Sequence, residues 1–130
     1  MKIKHLILLA TFASLLFAVN ACKSEDEPDD NDPVLTITSP TDNESFLGQI
    51  HIALNATDES LHEMSIKVTR DDDGWIAFEA APEVHDLTTF NYDTSFAATG
   101  VTGLTDMTLT VEVEDHDSHI VTKTVKFTAQ

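Results

Sequence analysis

The chain reads as all-β, with residues 34–130 folding as a single two-sheet antiparallel sandwich of about seven strands. Three observations predict this. Apolar residues recur with a period of two in one segment after another from residue 34 onward, the pattern of strands with a single buried face. Turn-forming residues interrupt those segments at intervals of about ten residues, the spacing of a sandwich. No segment carries the three-to-four-residue apolar spacing of a helix.

The segments follow in order. Residues 34–38 alternate, with Leu35 and Ile37 on one side and Thr36 and Thr38 on the other. Residues 49–56 direct Ile50, Ile52 and Leu54 inward, which leaves His51 on an outward position. Residues 63–69 send Met64, Ile66 and Val68 inward. A fourth strand begins near Trp75, directly after Gly74. Residues 88–96 place Phe90, Tyr92 and Phe96 on one face. Residues 107–114 alternate most regularly: Met107, Leu109, Val111 and Val113 face inward, and Thr108, Thr110, Glu112 and Glu114 face outward. Residues 119–128 close with Val121, Val125 and Phe127. The enrichment in Thr, Val and Ile agrees with half-buried pleated surfaces.

Turn chemistry supplies the breaks. Residues 39–44 separate the first two strands, and Asp58, Glu59 and Ser60 separate the next two. Asp71-Asp72-Asp73-Gly74 is a hairpin signal, because Asp-Gly tolerates the positive φ that such turns require. Pro82, the stretch from Gly100 to Gly103, and residues 115–118 mark the others.

The N-terminal region has a different character. Lys2 and Lys4 precede an apolar run from Leu6 to Val19, shorter than the roughly 20 residues of a membrane span. A basic start, a short apolar stretch and small residues at its end read as a secretory signal over residues 1–21. Cys22, the sole cysteine, follows Val19-Asn20-Ala21 directly. This arrangement resembles the lipobox of bacterial lipoproteins, in the looser form of Bacteroidota-type sequences, since Val19 and Asn20 replace the usual Leu and small residue. The resemblance implies that Cys22 is lipidated and becomes the N-terminus, tied to a membrane by several acyl chains. A lone cysteine in a secreted chain agrees with that role better than with a disulfide.

Residues 22–33 are polar, acidic and punctuated by Pro28 and Pro33, with nothing apolar to bury, and read as a flexible tether. An acidic stretch after the lipidated cysteine also resembles the signal for display on the outer face of the outer membrane. A periplasm-facing position is the alternative.

The formal charge is −16, and loss of Lys2 and Lys4 with the signal makes it two units more negative. Such a chain is repelled by phosphate backbones, which excludes nucleic acid as a partner.

Residues 34–130 fit one domain. Ile37-Thr38-Ser39-Pro40, Phe46-Leu47-Gly48, Ala56-Thr57-Asp58 and Val113-Glu114-Asp115 resemble the immunoglobulin-like or fibronectin-III-like modules of bacterial surface proteins. The likeness implies a single immunoglobulin-like sandwich, of the kind carried by Bacteroidota-type lipoproteins whose domain has no assigned function. It says more about fold than about function.

One hint of chemistry depends on topology. In such a sandwich the turns at 58–61, 82–86 and 115–118 share one end. Those segments and their flanks hold His62, His85, His116 and His119, four of the six histidines, with Asp58, Glu59, Glu83, Asp86, Asp115 and Asp117. Imidazoles beside carboxylates suit a Zn, Cu or Ni ion. The candidate ligands are His62, His85, Asp115, His116, Asp117 and His119. The competing reading is a polar rim, since Asp, Ser and His are ordinary turn residues. A calcium site at Asp71 to Asp73 is weaker, because the run lacks the spaced carboxylates of a calcium loop. Trp75 reads either as a sugar-stacking platform or as a core anchor.

Enzymatic motifs are missing from the sequence: there is no Gly-x-Ser-x-Gly elbow, no phosphate-binding glycine loop and no His-Glu-x-x-His. The sequence therefore predicts a non-catalytic envelope lipoprotein with a binding or structural module for a protein or glycan partner. Divalent-metal binding at the histidine end is the alternative.

Overall fold

The computed structural model describes residues 30–130. Residues 1–29, on which the expected signal segment, Cys22 and most of the expected tether fall, lie outside the described residues.

The described chain forms eight strands and no helix. They are β1 (Val34–Ser39), β2 (Ser45–Phe46), β3 (Gln49–Thr57), β4 (Leu61–Arg70), β5 (Ile76–Ala80), β6 (Thr89–Ala97), β7 (Thr105–Asp115) and β8 (Ile120–Ala129). One sheet runs β1-β3-β6 and the other β2-β8-β7-β4-β5. The chain crosses from one sheet to the other several times, so that both sheets contribute to one core, as in an immunoglobulin-like sandwich.

Seven strands fall where the sequence places them. The eighth, β2, is two residues long and pairs parallel to the end of β8, through Ser45 with Thr128 and Phe46 with Ala129. Two residues carry no period, so the alternation could not show it. Phe46 meets the Phe127 ring edge-on at 5.6 Å, which ties this short strand to the core.

The core lies between the sheets. Ile50, Ile52 and Leu54 of β3 join Met107, Leu109, Val111 and Val113 of β7 and Ile66 and Val68 of β4, all buried. The aromatic face of β6 is only half-buried, because the three-stranded sheet is narrower than its partner and β6 is its edge. Phe96 is sheltered there by Phe78 of β5, stacked at 4.6 Å.

One irregularity positions chemistry. Opposite β7, Leu61 pairs with Asp115 and Glu63 with Glu114, so His62 is the extra residue of a β-bulge. Leu61 and Met64, three apart, are consequently both buried. Strict alternation would send one of them outward. A bulge bends the strand and re-aims a side chain near a sheet end. It also extends β4 two residues further than the period in the sequence suggests.

Candidate metal centre

The three turns expected at one end do meet there. The His116 amide donates to the Ser60 carbonyl at 3.1 Å, the Asp86 amide to the Leu61 carbonyl at 2.9 Å, and the Leu61 amide to the Leu87 carbonyl at 2.9 Å. The β5–β6 connection is further pinned by Val84, whose side chain is buried in the core. Asp86 then turns the chain with φ of 64°, a left-handed conformation that Asp accepts more readily than most residues.

These anchors bring His62, His85 and His116 together. Each offers a nitrogen, and the three nitrogens lie within 4.8 Å of one another. Ring centroids are separated by 5.2 Å (His62 to His85), 4.7 Å (His62 to His116) and 4.6 Å (His85 to His116). A tetrahedral zinc ion with bonds of roughly 2.0–2.1 Å sets its nitrogens about 3.4 Å apart. The widest pair must therefore close by roughly 1 Å or a little more. His85 and His116 are exposed and lie outside the buried core, so closing that distance leaves the core packing in place.

His62 differs from the other two. Its Nδ1 is buried and has no hydrogen-bond partner. A buried polar atom left unsatisfied is rare in native folds and calls for a reason, and a role as metal ligand supplies one. Asp86 serves the remaining pair: Oδ2 lies 3.0 Å from His85 Nδ1, and Oδ1 lies 3.0 Å from His116 Nε2. The sequence places Asp86 at this end but assigns it no role. Its one signal there is its position next to His85.

The other expected ligands of this end are placed differently. Asp115 and His119 pair with each other across the β7–β8 turn. The His119 amide and ring Nδ1 contact the two Asp115 carboxylate oxygens at 2.8 and 2.7 Å. Burial pushes the Asp115 carboxyl up, but the His119 backbone and ring donors outweigh it and hold the carboxyl below its ordinary value. The hydrogen bond to Asp115 raises His119 in turn, against the opposing effect of desolvation. This pair closes the turn from which His116 projects. Asp117 sits exposed in the same turn and, like Asp115 and His119, stands outside the three-histidine grouping.

The far end is built from satisfied charges. Asp71 accepts from the Thr108 hydroxyl at 2.6 Å and from Lys126 Nζ at 3.0 Å, which lowers its carboxyl, the hydroxyl contributing most. Asp73 is held at about 2, first by the Arg70 guanidinium and then by the Trp75 amide. The side chains of Asp71 and Asp73 are thus turned to protein donors. Trp75 is 42% exposed, lies against Gly100 and carries Arg70 over its ring at 5.3 Å. One face of the indole is therefore occupied by the protein itself. His51, outward on β3 as expected, contacts Asp93 at 3.1 Å.

No protein-family model and no curated protein sequence matches this chain. Solved structures resemble it in fold. CopC from Methylosinus trichosporium OB3b superposes with a TM-score of 0.52 at 17% identity, over 75% of this chain and 93% of that one. An endo-β-1,4-mannanase from Thermotoga petrophila gives 0.50 at 14% identity over 79% of this chain. An engineered protein gives 0.50 at 13% over 76%. The match spans only about a fifth of those last two chains, 21% and 20%. At such identities the likeness is one of fold.

Proposed function

We propose that this chain is a cell-envelope lipoprotein whose sandwich binds a divalent transition-metal ion through His62, His85 and His116. The observation that carries the reading is the convergence of three imidazoles from three separate segments. One of them has a buried, unpartnered nitrogen. An all-imidazole donor set suits Zn, Cu or Ni and contains no thiolate to favour Cu(I). Three protein ligands leave a fourth tetrahedral position for water or an incoming group. We assign the site a binding or delivery role, the simplest one that three imidazoles at one end of a small sandwich support. Lipidation at Cys22 would hold this end near the membrane, on the cell surface or, alternatively, facing the periplasm.

A second reading is an interaction module for a protein or glycan, with Trp75 and Ile76 exposed at the opposite end as its support. Thermal unfolding in chelator and then in Zn²⁺, Cu²⁺ or Ni²⁺ separates the two. A metal at about 100 times its Kd stabilises the fold by roughly 2.7 kcal/mol. That gain should disappear in His62→Ala, His85→Ala and His116→Ala and persist in His119→Ala. No gain with any ion in the unsubstituted protein refutes the metal reading and favours the interaction module.

A further inference from the structure

Among the described residues, Asp86 is the carboxylate set between two of the three clustered rings. It touches them through different oxygens and through chemically different nitrogens: Nδ1 of His85 and Nε2 of His116, each at 3.0 Å. Its backbone is fixed independently of those contacts, by the hydrogen bond that its amide N–H donates to the Leu61 carbonyl and by the buried Val84 two residues before it. The carboxylate is therefore presented to the rings by the fold rather than carried by them.

We propose that Asp86 is a positioning residue that orients both rings and selects which nitrogen each presents. This rests on the metal reading above and extends it. An ionised carboxylate accepts only, so it favours a proton on the nitrogen facing it. His85 is thereby held with its proton on Nδ1 and its lone pair on Nε2. His116 is held the opposite way, with its proton on Nε2 and its lone pair on Nδ1. The two contacts are at hydrogen-bond distance but are not aligned as hydrogen bonds, so the selection requires each ring to turn until its N–H points at its oxygen. Metal-bound imidazoles commonly donate their other N–H to a carboxylate, which fixes the tautomer and raises ligand basicity. Here one carboxylate would do so for two ligands. Through its contact with His116 this carboxylate also couples two segments distant in sequence, the β5–β6 connection and the β7–β8 turn.

The size of the effect follows from exposure. Removal of an outer partner of this kind typically weakens metal binding about 10- to 100-fold. The Asp86 side chain is 73% exposed and screened by water, which argues for the lower limit, about tenfold.

Two measurements on the full chain test the proposal, each with the Asp86→Asn variant, which keeps the shape and tolerates the same left-handed backbone. The first is ¹⁵N NMR of the histidine rings in metal-free protein at mildly alkaline pH, where neutral imidazoles reveal their tautomers. His85 is expected as the Nδ1–H form, the less common one for a free imidazole, and His116 as the Nε2–H form. Asp86→Asn should shift His85 toward the common form. A wild-type His85 in the Nε2–H form, or one indifferent to the substitution, overturns the proposal. The second is zinc titration followed by calorimetry, with Asp86→Asn expected to bind about tenfold more weakly. Unchanged affinity overturns the positioning role, and a loss of roughly a thousandfold or more overturns it in favour of direct ligation by Asp86. If the unsubstituted protein takes up no zinc, copper or nickel, the metal reading itself falls. The ring tautomers still decide whether Asp86 orients the pair.

Discussion

The connection carrying His85 and Asp86 sends one side chain, Val84, into the core, and its truncation should be felt in both the core and the site. Val84 is 1% exposed although it lies in a loop. Val84→Ala deletes two methyl groups, about 1.6 kcal/mol at roughly 0.8 kcal/mol for each buried carbon. Incomplete collapse of the resulting cavity adds to this, for a total of about 2 kcal/mol. In a domain of this size that lowers Tm by about 10 °C. The appropriate control is Val111→Ala in β7, which removes the same atoms from an equally buried strand position away from the loop. Urea unfolding in chelator should show similar losses for the two variants. Zinc titration should separate them. If half of the Val84 loss falls on ordering the loop, about 1 kcal/mol, zinc affinity drops about fivefold. Val111→Ala should leave it unchanged. A Val84→Ala cost below about 0.5 kcal/mol would refute the pinning of the loop by the core. Equal zinc affinities in the two variants would refute the link from packing to site.

Three other outcomes are expected. In metal-free protein the Asp115–His119 pair should make stability depend on pH. His119 is raised, so its contribution is complete below its ordinary value of 6.5 and declines as pH rises through the folded value. Asp115 is lowered, so its contribution is present above its ordinary 3.8 and declines as pH falls through the folded value. The pair therefore stabilises most between those limits. His119→Gln should flatten the alkaline limb in urea midpoints measured against pH, and an unaltered limb would contradict the assignment. At the far end, Gly100 has φ of +77°, and an added Cβ would lie 3.4 Å from the Trp75 ring. Gly100→Ala should cost about 1–2 kcal/mol and alter the emission of Trp75, the sole tryptophan. Finally, Cys22→Ser should abolish incorporation of labelled fatty acid and move the protein from the detergent phase to the aqueous phase. Retained labelling would refute lipidation at Cys22.

How much of this molecule is legible in one dimension differs from element to element, for physical reasons. The alternation over residues 107–114 is enough to place Met107, Leu109, Val111 and Val113 inside, because a strand with one buried face must repeat every two residues. The same logic locates six of the eight strands, the turn at Asp73-Gly74 marks the start of a seventh, and the order of the loops implies that the histidine-bearing turns share an end. Hydrophobic patterning and turn residues act locally, so they are visible without any knowledge of which segments meet.

What the tertiary structure alone decided are the departures from that periodicity and the pairings across it. The bulge at His62 breaks the alternation, and its effect depends on β7, far along the chain. The joining of His62, His85 and His116, with His119 turned instead to Asp115, is a matter of a few ångströms between side chains. The placement of Asp86 between two rings depends on a positive φ and on a loop held by Val84. Burial patterns are averages over a whole element, whereas a ligand set requires particular atoms to converge, and that convergence arises only when distant segments share one core.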